Sequence, residues 1–305
     1  MKPAPFTYHR PTELAEALAL LGELTDAGDH PKVLAGGQSL LPMLSMRLAE
    51  PSHLIDLNAL TDLDCVDVGE RGVRVGALVR HRALERHDGA FAALPVLRQA
   101  LRHVAHPTIR NRGTIVGSLC HADPAAEMPA VLALLGGEVQ TRSVRGERTI
   151  AANDFFVGPL EAALEPDEVA VAAIFPRLAP GTGTAVVELA RRHGDYAMCG
   201  VVAAVTVDGS GRVSSARATY VSAGEGCTPV DLGAAVVGSG VDQAPWEAAG
   251  ELARALVATE PDIHASAEYR SQLVAVLTTR ALQDAAAAAI ASTAATAFTA
   301  ATGGA

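Results

Sequence analysis

Most of the signatures that settle an enzyme's class at a glance are missing from this sequence. Its four cysteines, Cys65, Cys120, Cys199 and Cys227, are scattered, and no two fall at C-x-x-C spacing. That argues against a structural zinc site and against an iron–sulfur cluster ligated by this chain alone. There is no G-x-S-x-G elbow, no H-E-x-x-H, no P-loop lysine pattern and no G-x-G-x-x-G, so the usual hydrolase, zinc-protease, NTPase and Rossmann patterns are absent. Basic residues are short as well: 24 Lys and Arg against 34 Asp and Glu leave a net charge of -10. A duplex nucleic acid partner normally needs clustered cations, so none is expected. The opening Met1-Lys2-Pro3-Ala4-Pro5 lacks an apolar signal core. The longest apolar-looking stretch, Ala285 to Ala305, is weakly hydrophobic alanine interrupted by Ser292, Thr293, Thr296, Thr299 and Thr302. No membrane span is expected from it. Scattered cysteines without an export signal read as reduced thiols in the cytoplasm.

What is present is a globular composition, 49% hydrophobic and 19% charged, in a chain of 305 residues, long enough for two or three cores. Two glycine segments stand out. Ala35-Gly36-Gly37-Gln38-Ser39 follows the apolar Val33-Leu34, and Arg110-Asn111-Arg112-Gly113-Thr114-Ile115-Val116-Gly117-Ser118 lies about eighty residues on. Each reads as a strand ending in a tight turn where backbone can approach a ligand and successive amides can converge on an anion. An ordinary β-turn accounts for either one alone. The pair suggests a pyrophosphate gripped from two sides.

Periodicity predicts a helix over Thr12–Leu24, strands at Lys32–Ala35, His53–Leu57 and Val73–Ala77, and a helix over Phe91–Val104. Ser39 is a candidate N-cap for a helical turn to Leu48. Asp123-Pro124 reads as the cap and first residue of a helix running to Leu135. Glu138-Val139 and Thr149-Ile150 are strand candidates. Pro176–Gly183 breaks all periodicity. Beyond it, β-branched runs at Ala185–Arg191, Val201–Val207 and Val213–Val221 are punctuated by the hairpin signal Asp208-Gly209. Helices follow over Ala244–Thr259 and Ser266–Ala289. The tail from Ala285 offers little side-chain area for packing, so its end is expected to fray.

Single residues leave choices open. Asp123 suits a helix cap or a ribose hydroxyl acceptor. Tyr196, in Arg191-Arg192-His193-Gly194-Asp195-Tyr196-Ala197, suits ordinary packing or stacking on a planar ring. His103, His106 and His121 lack an obvious carboxylate as further ligand, so no metal is expected.

Taken in order, the segments resemble a known family. Lys32-Val33-Leu34-Ala35-Gly36-Gly37-Gln38-Ser39-Leu40-Leu41-Pro42-Met43, then Arg47-Leu48-Ala49 and His53-Leu54-Ile55-Asp56-Leu57, are similar to the FAD-binding medium subunits of molybdenum hydroxylases. That group includes the medium subunits of carbon monoxide dehydrogenase and the flavin parts of xanthine dehydrogenases. Ile109 to Ser118 resembles its second flavin motif, continued by His121-Ala122-Asp123-Pro124-Ala125-Ala126-Glu127-Met128-Pro129-Ala130. Ala163-Leu164-Glu165-Pro166-Asp167-Glu168, Gly194-Asp195-Tyr196-Ala197 and Ala267-Glu268-Tyr269-Arg270 agree too.

The resemblance implies an α+β fold. A two-subdomain FAD-binding domain of the PCMH, vanillyl-alcohol-oxidase-like type spans 1–178, with subdomains about 1–58 and 59–178. A smaller α/β C-terminal domain spans 184–285, and 286–305 form the alanine-rich tail. It implies a flavin site made by Lys32, Leu34, Ala35, Gly36, Gly37, Gln38, Ser39, Leu40, Thr114, Ile115, Val116, Gly117, Ser118, Asp123 and Tyr196, with no catalytic acid or base. The diphosphate would meet the amides of Ala35–Ser39 and Thr114–Ser118, and Tyr196 the isoalloxazine ring.

The implied function is electron transfer through FAD to an external acceptor. The molybdopterin cofactor lies in a large partner subunit and two [2Fe–2S] clusters in a small one, assembled as a dimer of heterotrimers. A flavin-free scaffold subunit and a self-sufficient flavin oxidase are the other readings. Val116 motivates the scaffold reading, because the family usually carries glycine there. Either its backbone stays in an allowed region or FAD binding is weakened.

Overall fold

The structure, a computed structural model, describes residues 2–224 and 227–302, with 294–302 as backbone alone. The last residues of the alanine-rich tail, 303–305, lie outside the described residues. The chain forms two compact units. One comprises Met1–Ala93, Ala105–Asp123 and Gly136–Pro176; the other comprises Leu94–Val104, Pro124–Leu135 and Arg177–Ala305.

The first unit holds two principal sheets. Strands β1 (Thr7–His9), β2 (Pro31–Leu34) and β3 (His53–Asp56) form a parallel sheet in the order β1-β3-β2. The helix Leu14–Asp26 joins β1 to β2 and buries Ala17, Leu18 and Leu21, the face its 3–4 spacing predicts. Strands β4 (Val66–Gly69), β5 (Gly72–Gly76), β6 (Glu138–Ser143) and β7 (Gly146–Ala151) belong to an antiparallel sheet. A small hairpin, β8 (Phe156–Gly158) and β9 (Glu161–Ala162), precedes β10 (Val169–Pro176). The five-stranded order is β4-β5-β10-β6-β7. In its middle, β10 is buried from Val169 to Phe175, which explains a run of apolar residues without alternation.

The second unit is an antiparallel sheet of β11 (Thr182–Ala190), β12 (Ala197–Val207), β13 (Val213–Val221) and β14 (Val230–Asp231), in that order. Helices Trp246–Leu256 and Ala267–Thr302 pack with it. Two helices from earlier in the chain also belong here. The helix Glu127–Leu135 is apolar nearly throughout and buried from Met128 to Leu135. Thr219 Oγ1 donates to its Ala130 carbonyl at 2.9 Å. The units are therefore not contiguous in sequence.

Several expected elements differ. Phe91–Val104 is two helices, Asp88–Ala93 and Pro95–Leu101, because Pro95 supplies no amide donor to the turn before it. Asp123 does not stand at the N-cap position: the next helix begins at Glu127, after Ala122 takes a left-handed φ of 49°. The segment before Gly113 is a short helix, Pro107–Arg110, not a strand. The connection after β12 is longer than a two-residue Asp-Gly turn. Asp208 Oδ1 accepts from the amides of Ser210 and Arg212, and the positive φ falls on Gly211.

The start of the alanine-rich tail packs better than its composition suggests, and the side chains of the end expected to fray lie outside the described residues. Ala281, Leu282, Ala285, Ala286 and Ala289 are buried against the second unit's core. A Cβ on Gly183 would lie 2.1 Å from the Ala285 carbonyl oxygen and 2.2 Å from the Ala289 nitrogen, so helix and strand backbones touch directly. The stretch Ala267–Thr293 is long and apolar enough to cross a membrane, but 56% of its most apolar window is buried inside the protein.

One buried acid in this unit has a measurable consequence. Glu188 on β11 has a side chain 5% exposed, and its Oε2 has no partner among the described residues. Burial, reinforced by Glu127, pushes its carboxyl up to about 8. His103 Nδ1 lies 4.0 Å from Oε1, and burial pushes that imidazole down. Both groups are driven toward neutrality, so the contact is not an ion pair at neutral pH. The folded chain keeps a proton that the unfolded chain releases, so stability falls as pH rises from about 4.5 to about 8. Thermal melts across that window should show Tm falling with pH in the wild type and a flatter profile in Glu188→Gln. Equal slopes would place the titration elsewhere.

Candidate functional site

The first glycine segment leaves β2 and turns at Gly37, whose φ is +75°. A Cβ there would meet only side-chain atoms of Leu41 and Leu34, so conformation more than space asks for glycine. The amides of Gly36, Gly37, Gln38, Ser39 and Leu40 have no acceptor among the described residues. The first one bonded is Leu41, to the Gly37 carbonyl at 3.0 Å. Ser39 stands at the cap position of the helix Leu40–Ser45, but its hydroxyl caps nothing. The result is a short arc of free N–H groups, the geometry of an anion nest. Lys32 is exposed on β2, and Leu34, Ala35 and Leu40 are half-buried.

The second segment is built differently. Thr114 caps the helix Ile115–His121, its Oγ1 accepting the Gly117 amide at 3.1 Å. Its carbonyl takes the Ser118 amide at 3.1 Å, and the Ile115 amide donates to Val79 at 3.1 Å. Only Val116 N–H within Ile115–Ser118 lacks an acceptor among the described residues. Gly117 is needed by the cap: a Cβ there would sit 2.6 Å from Thr114 Oγ1. Val116 lies in this helix, 2% exposed, without a positive φ. Its backbone is in an allowed region, as the first of the two expectations required.

The structure brings the two segments into backbone contact. A Cβ on Gly36 would lie 2.5 Å from the Arg112 carbonyl oxygen, 2.7 Å from Gly113 Cα and 3.0 Å from the Thr114 nitrogen. Gly113 is held in turn: its carbonyl accepts the His81 amide at 3.0 Å. His81 is buried with neither ring nitrogen hydrogen-bonded among the described residues, and burial pushes its pKa down to about 4. It is a neutral packing group beneath the turn.

Asp123 follows the left-handed Ala122 and is half-buried in the first unit. Tyr196 belongs to the second unit, 61% exposed on the connection between β11 and β12.

Sequence reasoning missed a polar cluster around the first turn. Tyr8 Oη donates to Asp56 Oδ2 at 2.6 Å, and the Asn58 amide donates to Asp56 Oδ1 at 2.9 Å. Burial pushes the Asp56 carboxyl up, but these bonds outweigh it and hold it below its ordinary value. Asn58 Nδ2 donates to the Ala35 carbonyl at 2.9 Å, and Arg80 donates to Asn58 Oδ1 and to the Arg112 carbonyl. Only Asp56 fell inside a quoted motif. Asn58 and Arg80 have no local signature, because their partners are far away in sequence.

A row of free amides, closed by a second turn at close backbone range, has a geometry suited to an anion such as a dinucleotide diphosphate. Residues 4–178 match the family described as FAD binding domain in molybdopterin dehydrogenase, and residues 184–285 match the CO dehydrogenase flavoprotein C-terminal domain. The chain belongs to the FAD-binding medium subunits of the molybdenum hydroxylases. It is 38% identical to the 6-hydroxypseudooxynicotine dehydrogenase complex subunit alpha of Paenarthrobacter nicotinovorans, over 93% of this chain and 96% of that one. Among solved structures it is similar to quinoline 2-oxidoreductase from Pseudomonas putida 86. The TM-score is 0.88 at 35% identity, covering 95% of this chain and 100% of that chain. Reconstituted CO dehydrogenase from Oligotropha carboxidovorans gives a TM-score of 0.87 at 35% identity, covering 94% and 100%.

Two substitutions test the site. Gly36→Ala should force the two turns apart and weaken FAD binding at least about tenfold, a loss of about 1.4 kcal/mol, read by fluorescence titration. Unchanged affinity would remove the backbone contact from the site. Val116→Gly deletes a buried side chain and adds backbone entropy within a helix. It should cost on the order of 2–4 kcal/mol in chemical denaturation with FAD affinity little changed.

Proposed function

We propose that this chain is the electron-transfer subunit of a molybdenum-dependent dehydrogenase, taking electrons from an iron–sulfur partner and passing them through FAD to an external acceptor. The observation that carries the reading is the arc of free amides from Gly36 to Leu40, closed by the Gly36 contact with Arg112–Gly113. A diphosphate is the ligand such an arc suits, since each N–H is an unspent donor and none need be freed from another bond.

When bound, FAD exchanges electrons singly or in pairs. The chain's own residues bind and orient it. Gly36, Gly37, Gln38, Ser39 and Leu40 supply donors to the diphosphate, with Lys32, Leu34 and Ala35 flanking them. Of Thr114, Ile115, Val116, Gly117 and Ser118, the Thr114 and Val116 amides are the available donors, and the others shape the turn. Asp123 is assigned to the nucleotide ribose and Tyr196 to the isoalloxazine ring. Tyr196 is 61% exposed, and a tyrosine ring suits stacking on a planar ring system.

The FAD-binding domain is taken as 1–178, with subdomains about 1–58 and 59–178, and the C-terminal domain as 184–285. A small subunit with two [2Fe–2S] clusters and a large molybdopterin subunit complete a dimer of heterotrimers. The substrate is oxidised in the large subunit. The four cysteines form no disulfide among the described residues, which suits a reducing cytoplasm. A flavin-free scaffold is the less favoured reading, since Val116 sits in a helix without a positive φ.

The test is the visible spectrum of the purified full chain with and without added FAD, followed by chromatography of the flavin released on denaturation. Bands near ~370 and ~450 nm with about one FAD per chain are expected, without turnover of any hydroxylase substrate by this chain alone. A chain that stays colourless in excess FAD would overturn the reading.

A further inference from the structure

The two turns are not held together by their glycines alone. Starting on β1, a continuous line of hydrogen bonds runs from Tyr8 through Asp56 at the end of β3 to Asn58, then to Arg80 and the second turn. Its two ends are specific. Asn58 Nδ2 holds the Ala35 carbonyl, which immediately precedes Gly36. Arg80 Nη1 holds the Arg112 carbonyl, which immediately precedes Gly113. That Arg112 oxygen is also the atom a Cβ on Gly36 would strike first. Asn58 and Arg80 are joined by Nη2 donating to Oδ1, so one pair of side chains touches the peptide groups on both sides of the gap.

Peptide geometry makes this pairing consequential. In a planar trans peptide the C=O and the following N–H point in opposite directions. Pinning the Ala35 carbonyl on Asn58 therefore turns the Gly36 N–H away from Asn58, and that amide begins the row without an acceptor. Pinning the Arg112 carbonyl sets the height of the Gly113 backbone against Gly36. A carboxamide and a guanidinium suit the task, because each is planar and offers several hydrogen-bonding atoms in a fixed geometry. The assembly is partly buried, and Asp56 and Asp64 offset the charge of Arg80 against the repulsion from Arg112.

Resting on the FAD assignment above, we infer that Asn58 and Arg80 are positioning residues: a two-residue strut that sets the separation of the two glycine turns and aims the first row of amides at a dinucleotide diphosphate. Neither side chain need touch the ligand. The strut acts by fixing two backbone carbonyls.

The experiment uses the full chain as wild type, Asn58→Ala, Arg80→Met, Arg80→Lys and the Asn58→Ala/Arg80→Met double variant. FAD affinity is measured by fluorescence titration of the flavin-free protein. Hydrogen exchange over residues 107–121 is followed without flavin. Each single removal should raise the FAD Kd at least about tenfold, and the double variant should be little worse than either, as expected for one shared device. Arg80→Lys should recover part of the affinity by reaching one of the two acceptors. Asn58→Ala, whose own backbone contact is on the first turn, should speed exchange across the second.

Multiplicative losses in the double variant would overturn the strut, as would single-variant affinities within about threefold of wild type. If Arg80→Met does not fold, Asn58→Ala and Arg80→Lys decide by the same titration, and wild-type affinity in both overturns the proposal. Cross-turn exchange distinguishes the two levels of argument. If the wild type binds no FAD yet Asn58→Ala still loosens the second turn, the FAD assignment fails and the strut stands. If the wild type binds FAD and exchange is unmoved, the strut fails and the FAD assignment stands.

Discussion

The first unit depends on one contact that leaves no space for a side chain. Gly36 lies against the Arg112–Gly113 peptide so closely that a single added carbon would overlap backbone. Backbone atoms cannot swing aside as a side-chain tip can, so the contact specifies the relative position of two segments far apart in sequence. Much else in the unit serves it. The parallel sheet delivers the first turn at the end of β2, and the Val79–His81 segment clips the second through the Ile115 and His81 amides. His81 fills the space under Gly113 as a neutral ring. The unspent amides are the consequence: a turn this tightly packed has nowhere to bond them internally.

Secondary structure was legible where burial follows a simple period. The helix Leu14–Asp26 and the strands β12 and β13 fall close to where spacing places them. It was misread where a local device overrides the pattern. Pro95 divides an otherwise continuous helical stretch, and a left-handed Ala122 detaches Asp123 from the helix it was expected to cap. The two glycine turns were legible as a pair, but their division of labour was not. Nothing local reveals that Thr114 consumes the amide of Gly117, or that only the first turn leaves a row of donors free. Asn58 and Arg80 were invisible because their partners are set by tertiary structure. The compact units are likewise interrupted in sequence, since Glu127–Leu135 is too apolar to remain uncovered and packs with β12 and β13.

The same device recurs in the second unit for a purely structural end. Gly183 lets the C-terminal helix rest its backbone directly on β11, and Gly250 does so for the Trp246–Leu256 helix against Ala275. In such an arrangement alanine is the fitting residue, because anything larger at Ala281, Ala285 or Ala289 would lift the helix off the sheet. Low side-chain volume, which looks like weak packing potential in the sequence, is here the condition for close packing.

Charge is distributed with a matching economy. His81 and Glu188, buried without adequate partners, are both driven toward their neutral forms. Among groups that stay charged, Arg80 is tied to the backbone of the second glycine turn, and Asp56 holds Asn58, which bonds the backbone of the first. Strongly shifted pKa values often mark a catalytic pair. These two belong to different compact units, and each is accounted for by burial within its own. An electron carrier, the role proposed for this chain, has no bond of its own to break, so it needs no acid–base dyad. Its demand is for a cofactor held at constant geometry through repeated redox change. A rigid backbone contact, braced by planar side chains and surrounded by neutral packing, meets that demand.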